Sequence, residues 1–211
     1  LCETRSLALA RGVYNFNFNP SLATKFGSGP YSLPLDYLRT SDSSGSSGTS
    51  KSTWYLYPTP AWPQGQPIYM VPIDLAEFDQ YPQFPNQSTP ELWATDMGAP
   101  LTQRITAVTT ANLSAGSTAG TVASATGISN GLSMAGEGVQ PGTTVTISGS
   151  NITLSLPATG TKTNFSVFFG IPPVGYAYPP PLGAYPVTIR YQRKMPPIVD
   201  QTQVPWFPNE G

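Results

Sequence analysis

Few side chains in this chain are equipped for bond chemistry, and those that are lie scattered. There is no histidine and a single cysteine, Cys2, so neither a Ser-His-Asp nor a Cys-His arrangement can be assembled. As a nucleophile Cys2 would need an activating neighbour; the alternative is a small, partly buried residue on a helix. Zinc sites draw on clustered Cys and His, which the sequence does not offer. Asp74, Glu77 and Asp79 present oxygen ligands, but their spacing is not that of an EF-hand loop. The same Asp74 and Glu77 fit a helix capping box, with Leu75 and Phe78 facing inward. Two carboxylates suffice for glycoside hydrolysis, and the eleven acids make many pairs, which as a class are solvated surface groups. No Gly-x-x-x-x-Gly-Lys-Ser/Thr phosphate cradle occurs. No catalytic residue, cofactor or metal is therefore expected, and the chain reads as a non-enzyme.

Two other constellations concern binding. Arg190, Arg193 and Lys194 form the one basic cluster. On a strand Arg190 and Lys194 share a face with Thr188 and Gln192, while Arg193 lies on the other. The cluster reads either as a contact to a neighbouring subunit's acids or as a solvated strand end. Trp54, Tyr55, Trp62 and Tyr69 read either as core or as a platform on which a sugar stacks.

The elements that must position these residues follow from composition and periodicity. Of 211 residues only 10 % are charged, against roughly 25 % in an ordinary soluble domain, which suits a protein buried in an assembly. The net charge of -1 gives no basic face for nucleic acid. No apolar run approaches the roughly 20 residues that span a bilayer, no secretory signal is visible, and no membrane partner is expected. From Thr102 to Gly170 the text turns to Thr, Ser, Gly and Ala, with Arg104, Glu137 and Lys162 as its charges. Prolines and tryptophans crowd the flanks. We read residues 102–170 as a β-sandwich-like or barrel-like domain inserted into a host formed by 1–101 and 171–211, and expect the insert to fold on its own. The fold class is mainly β, with short helices in the host.

In the host, Leu1–Arg11 reads as the end of a helix closed by Gly12. Val13 to Phe18 alternates strictly, putting Tyr14, Phe16 and Phe18 on one face of a strand. Tyr31–Leu38 reads as an extended edge segment, and Thr40–Ser52 as a Ser/Gly loop. Trp54–Tyr57 and Ile68–Val71 read as a hairpin, Leu92–Thr95 and Val174–Tyr178 as strands, and Tyr185–Arg193 as the longest strand. In the insert, strands are expected near 104–109, 120–124, 143–147, 151–156 and 164–169, with Ser148-Gly149-Ser150 as a hairpin turn. Val145, Ile147, Ile152, Leu154 and Leu156 are its expected core.

The host segments Arg11-Gly12-Val13-Tyr14-Asn15-Phe16-Asn17-Phe18-Asn19-Pro20 and Leu33-Pro34-Leu35-Asp36-Tyr37-Leu38-Arg39 resemble head-to-tail adaptor proteins of tailed bacteriophages. So do Trp93-Ala94-Thr95-Asp96, the run Tyr178 to Arg193, and Val204-Pro205-Trp206-Phe207-Pro208-Asn209. The layout is also similar to the tail tubular protein A family of short-tailed phages, and the insert to Thr/Gly-rich Ig-like modules of phage structural proteins. The resemblance implies a non-enzymatic ring, commonly of about twelve copies, between the portal protein above and tail nozzle or tail fibre proteins below. It implies a place in the virion neck, after assembly in the bacterial cytoplasm, with genomic DNA passing through the ring without sequence-specific binding. Under this reading Arg190, Tyr191 and Arg193 sit at a subunit contact. Trp206 and Phe207 anchor the C-terminal segment on the host domain or the next subunit. The competing functions are a carbohydrate-binding or adhesive module and, third, a two-carboxylate glycan hydrolase.

Overall fold

Alternation between large rings and small polar residues decides the first strand. In β1 (Arg11–Asn17), Tyr14 and Phe16 are half-buried while Val13, Asn15 and Asn17 are exposed, and Phe18 just beyond is buried. Arg11 and Gly12, expected to close a helix, instead open this strand. Gly12 is needed there because a Cβ would lie 2.5 Å from the Tyr191 ring. The computed structural model describes residues 11–24, 27–40, 54–56, 67–81, 87–98 and 101–193. The expected N-terminal helix over residues 1–10 and most of the Ser/Gly loop fall outside the described residues, as do Trp62, Lys194, Trp206 and Phe207.

A single 3-10 turn, Pro20–Leu22, leads to β2 (Ala23–Thr24), β3 (Gly27–Ser32), β4 (Tyr37–Thr40), β5 (Trp54–Leu56), β6 (Ile68–Tyr69) and β7 (Val71–Pro72). Then come helix α1 (Leu75–Phe78), β8 (Leu92–Asp96) and helix α2 (Leu101–Arg104). The Thr-rich text supplies β9 (Ile105–Leu113), β10 (Ala119–Val122), β11 (Ser133–Gly136), β12 (Val145–Ser148), β13 (Asn151–Leu154) and β14 (Lys162–Gly170). The chain returns through β15 (Val174–Tyr178) and β16 (Pro186–Arg193). Among the described residues the fold is mainly β, 53 % strand and 6 % helix. At nine residues each, β9 and β14 exceed the eight of β16, which was expected to be the longest.

Three sheets result. The first runs β1-β16-β5-β6, with β4 also paired to β16; the second runs β2-β3-β15-β8-β7. Their inner faces share one core of Phe18, Tyr31, Leu33, Tyr37, Trp54, Leu56, Met70, Trp93, Ala177, Val187, Ile189 and Tyr191, which makes a sandwich. Trp54 and Trp93 stack across it with centroids 4.5 Å apart. Gly175 makes room, since a Cβ there would come within 2.7 Å of Trp54. The expected second strand over Ile68–Val71 splits at buried Met70: β6 pairs antiparallel with β5, whereas β7 crosses to the second sheet beside β8. Asp74 does precede α1, but its side chain makes no capping bond. This one-turn helix is held instead by buried Phe78 against Tyr176 and Tyr178.

The third sheet, β11-β14-β9-β10-β13-β12, is drawn entirely from residues 105–170. Its end strands meet: Gly131 N–H donates to the Val145 carbonyl at 2.8 Å, Val145 N–H to Leu132 at 2.9 Å and Met134 N–H to Thr143 at 2.9 Å. Together with the isolated Ser133–Thr144 bridge, these bonds curl the sheet into a partly closed barrel, a half-barrel, around Ala111, Leu113, Val122, Val145, Ile152, Leu154, Val167 and Phe169. The Ser148–Asn151 register makes Gly149-Ser150 a two-residue turn, and Gly149 takes φ +60 there. Leu156, expected in this core, is exposed because β13 stops at Leu154. Strands β8 and β15, which flank the barrel in sequence, pair with each other. The barrel therefore sits at the tip of their hairpin, and its entry and exit are joined by the Ile171 N–H to Arg104 carbonyl bond of 3.0 Å.

Candidate assembly interface

Strand β16 aims its three candidate side chains in two directions. Val187, Ile189 and Tyr191 point into the sandwich, while Thr188 is half-buried and Arg190 exposed on the outer face. Register carries that outer face sideways. Val13 lies opposite Arg190, Asn15 opposite Thr188, Tyr55 opposite Thr188 on the other side, and Tyr69 opposite Tyr55. The Thr188 hydroxyl donates to Asn15 Oδ1 at 2.7 Å. The Arg190 guanidinium sits 5.5 Å from the Tyr55 ring centroid, a cation–π arrangement. Tyr55 meets Tyr69 edge-on at 5.1 Å. Val13 is 54 % and Tyr69 55 % exposed. Of the expected aromatic platform, Tyr55 and Tyr69 thus stand at the surface, Trp54 is core, and Trp62 is outside the described residues.

Arg193 and Tyr191 belong to a different structure, the seam between sandwich and barrel. Asp36 is buried in the turn before β4. It accepts from the Tyr191 hydroxyl at 3.0 Å and forms an ion pair with Arg193 Nε. Arg193 Nη2 goes on to donate to the carbonyl of Gly136 in the barrel at 3.3 Å. Burial pushes the Tyr191 phenol well above its ordinary value, and the Asp36 charge adds to this. For Arg193 burial works toward a lower value, but the Asp36 charge, Tyr191 and the hydrogen bond outweigh it and hold the guanidinium above its usual range. Beside the ion pair, Leu35 packs with Ala135 and Phe168 in a small core of their own, flanked by Ile105 and Val108. Tyr14 closes the other side of the seam: a Cβ on Gly142 would come within 2.9 Å of its ring.

The sequence reading missed Asp36. The signal available was an acid inside an apolar run, Leu33-Pro34-Leu35-Asp36-Tyr37, where a charge needs a partner; nothing local says that the partner is Arg193. The basic cluster is accordingly not one patch: Arg190 faces outward, and Arg193 is matched by Asp36.

The opposite layer of the sandwich is acidic. Asp74, Glu77, Asp79 and Glu91 are exposed around α1 and the start of β8, and half-buried Asp96 accepts from Gly98 N–H at 2.6 Å. Among the described residues no three metal-ligating side chains gather, and no helix is long and apolar enough to cross a membrane. Along β9, β10, β13 and β14 a groove of about 500 Å³ is lined by Asn112, Thr121, Asn151, Thr153 and Lys162, with Leu113 and Ile152 beneath, and Lys162 is paired to Glu137. Asn112 is fixed within it, donating to Thr121 Oγ1 at 3.2 Å and accepting from Asn164 N–H at 2.8 Å. No protein-family model, no curated protein and no solved structure matches this chain.

Proposed function

We propose that this chain is a structural subunit of the head-to-tail connector of a tailed phage. Copies close into a ring of about twelve around the DNA channel, as heterologous interfaces do when their rotation closes. The ring sits between portal and tail proteins, and DNA passes through it unread. The observation that carries this reading is the outer face of the first sheet, where Val13, Tyr55 and Tyr69 neighbour the cation of Arg190. Tyrosine and arginine set among apolar side chains are what protein interfaces use as anchors. The host segments that resemble phage adaptors run through the same strands, β1 and β16. The test is the mass and shape of the purified chain, by light scattering and negative-stain imaging. Closed rings are the expected result, and a monomer at all concentrations overturns the proposal.

A second reading, an adhesive role for the barrel, is favoured by its groove of hydroxyls and amides. Such groups hydrogen-bond sugars, but no aromatic ring lines the groove for a sugar face to stack on. Binding on a glycan array that is lost in Asn112→Ala supports it; an empty array removes it.

A further inference from the structure

Charge in the sandwich is sorted by layer. Among the described residues outside 102–170, Arg11, Arg39, Arg190 and Arg193 all stand on strands of the first sheet. Asp74, Glu77, Asp79, Glu91 and Asp96 all stand on or beside the second sheet and α1. The one acid in the first layer, Asp36, is matched internally by Arg193. With Arg193 matched by Asp36, the outer face of one layer presents the Arg190 cation among tyrosine rings, and the other layer is acidic. Because the two sheets share one core, their outer faces look in opposite directions.

We infer that the subunit contact is head-to-tail: the Val13–Tyr55–Tyr69–Arg190 face of one copy docks on the α1 face of the next, against Asp74, Glu77 and Asp79. This rests on the ring reading above and names its two surfaces. A contact of one cationic face with another copy of itself would set arginine against arginine, which complementary interfaces avoid. A cationic face meeting an acidic face leaves each copy with one free face of each kind, so addition continues until a ring closes. The rings supply the buried apolar area, and the charges set which face is accepted and how fast.

The experiment uses two charge-reversed proteins, Arg190→Glu and the double variant Glu77→Arg/Asp79→Arg, with assembly followed by light scattering. Each alone presents like charges at the contact, and its half-assembly concentration is expected to rise at least about tenfold. Mixed one to one, the two are complementary in both directions and assemble again as alternating copies. Tyr69→Ser, which alters no charge, weakens assembly by a smaller factor and checks the same face should a charge variant not fold. Wild-type assembly weakens with added salt, because exposed charges are screened beyond about 8 Å at physiological ionic strength. If Arg190→Glu blocks assembly while Glu77→Arg/Asp79→Arg assembles as wild type does, the cationic face meets something else. The inference then falls and the ring stands. If mixing rescues nothing, the pairing is wrong in the same way. If the wild-type chain never assembles, the ring reading and the inference fall together.

Discussion

The sandwich fills its interior with rings, Trp54 on Trp93 and Phe18 on Tyr31 at 5.0 Å, while the barrel, whose sequence from 102 to 170 has neither Tyr nor Trp, fills its own with Ala, Val, Ile, Leu and a few Phe. Among the described residues the sandwich also keeps edges: β1, β4, β6, β2 and β7 each pair on one side only. The barrel draws its two end strands together through a few bonds at the starts of β11 and β12. Unpaired edges and exposed rings are liabilities for a lone protein, and closure removes them. The contrast teaches that the two β units reach a packed interior by different means, the sandwich by stacking rings between two sheets and the barrel by curling one sheet around small aliphatic side chains.

The largest separation of the two is expected in alkali. Burial raises Tyr14, Tyr31 and Tyr191 above the ordinary phenol value, so the fold favours their neutral form. Their stabilisation is complete below the unfolded value of about 10 and is lost as pH rises toward the higher folded values. Tryptophan fluorescence, to which residues 102–170 contribute nothing, should show unfolding above about pH 10 while barrel amides stay protected from exchange. Simultaneous loss of both would show that the seam makes them one cooperative unit.

Next in size is Trp54→Ala. The side chain is fully buried, and its removal should destabilise the sandwich by about 3–5 kcal/mol in urea titrations, with the barrel transition unmoved. Asp36→Ala acts on the seam itself, removing the ion pair of Arg193 and the acceptor of the Tyr191 hydroxyl. We expect about 2–3 kcal/mol, toward the lower end because Arg193 keeps its bond to Gly136. Both transitions should shift, unlike the first variant; an unchanged barrel would mean that the seam holds nothing in place. The smallest effect is Gly149→Ala, at φ +60 with open space around it. Only the backbone objects, at about 1 kcal/mol, and only barrel amides should register it.

Legibility in the sequence followed how many sides of each residue are covered. Tyr14, Phe16 and Phe18 were readable because one side of β1 faces solvent, so polarity alternates. The β12–β13 hairpin was readable from Gly149-Ser150 between two alternating runs. Strand β11, Ser133–Gly136, went unseen because all four of its residues are buried: the barrel core takes one face and the seam with Leu35 the other, which erases the period. Helix α2 is a single turn and leaves no pattern. Met70 hid the split between β6 and β7, since an apolar residue within an apolar strand gives no hint that the chain changes sheets there. At the candidate interface the opposed directions of Arg190 and Arg193 followed from strand parity. The match of Arg193 to Asp36 did not, because the two lie 157 positions apart.

The pairing of β8 with β15 has a mechanical meaning. A pull along the chain on either side of the barrel meets the hydrogen bonds between these two strands first. While they hold, tension passes across the base of the hairpin and the barrel feels none of it, like a pendant hung from a closed clasp. Only when the clasp tears does force reach the doorway between Arg104 and Ile171. From there β9 and β14 would peel apart one bond at a time, so the barrel survives strain by being shunted out of its path.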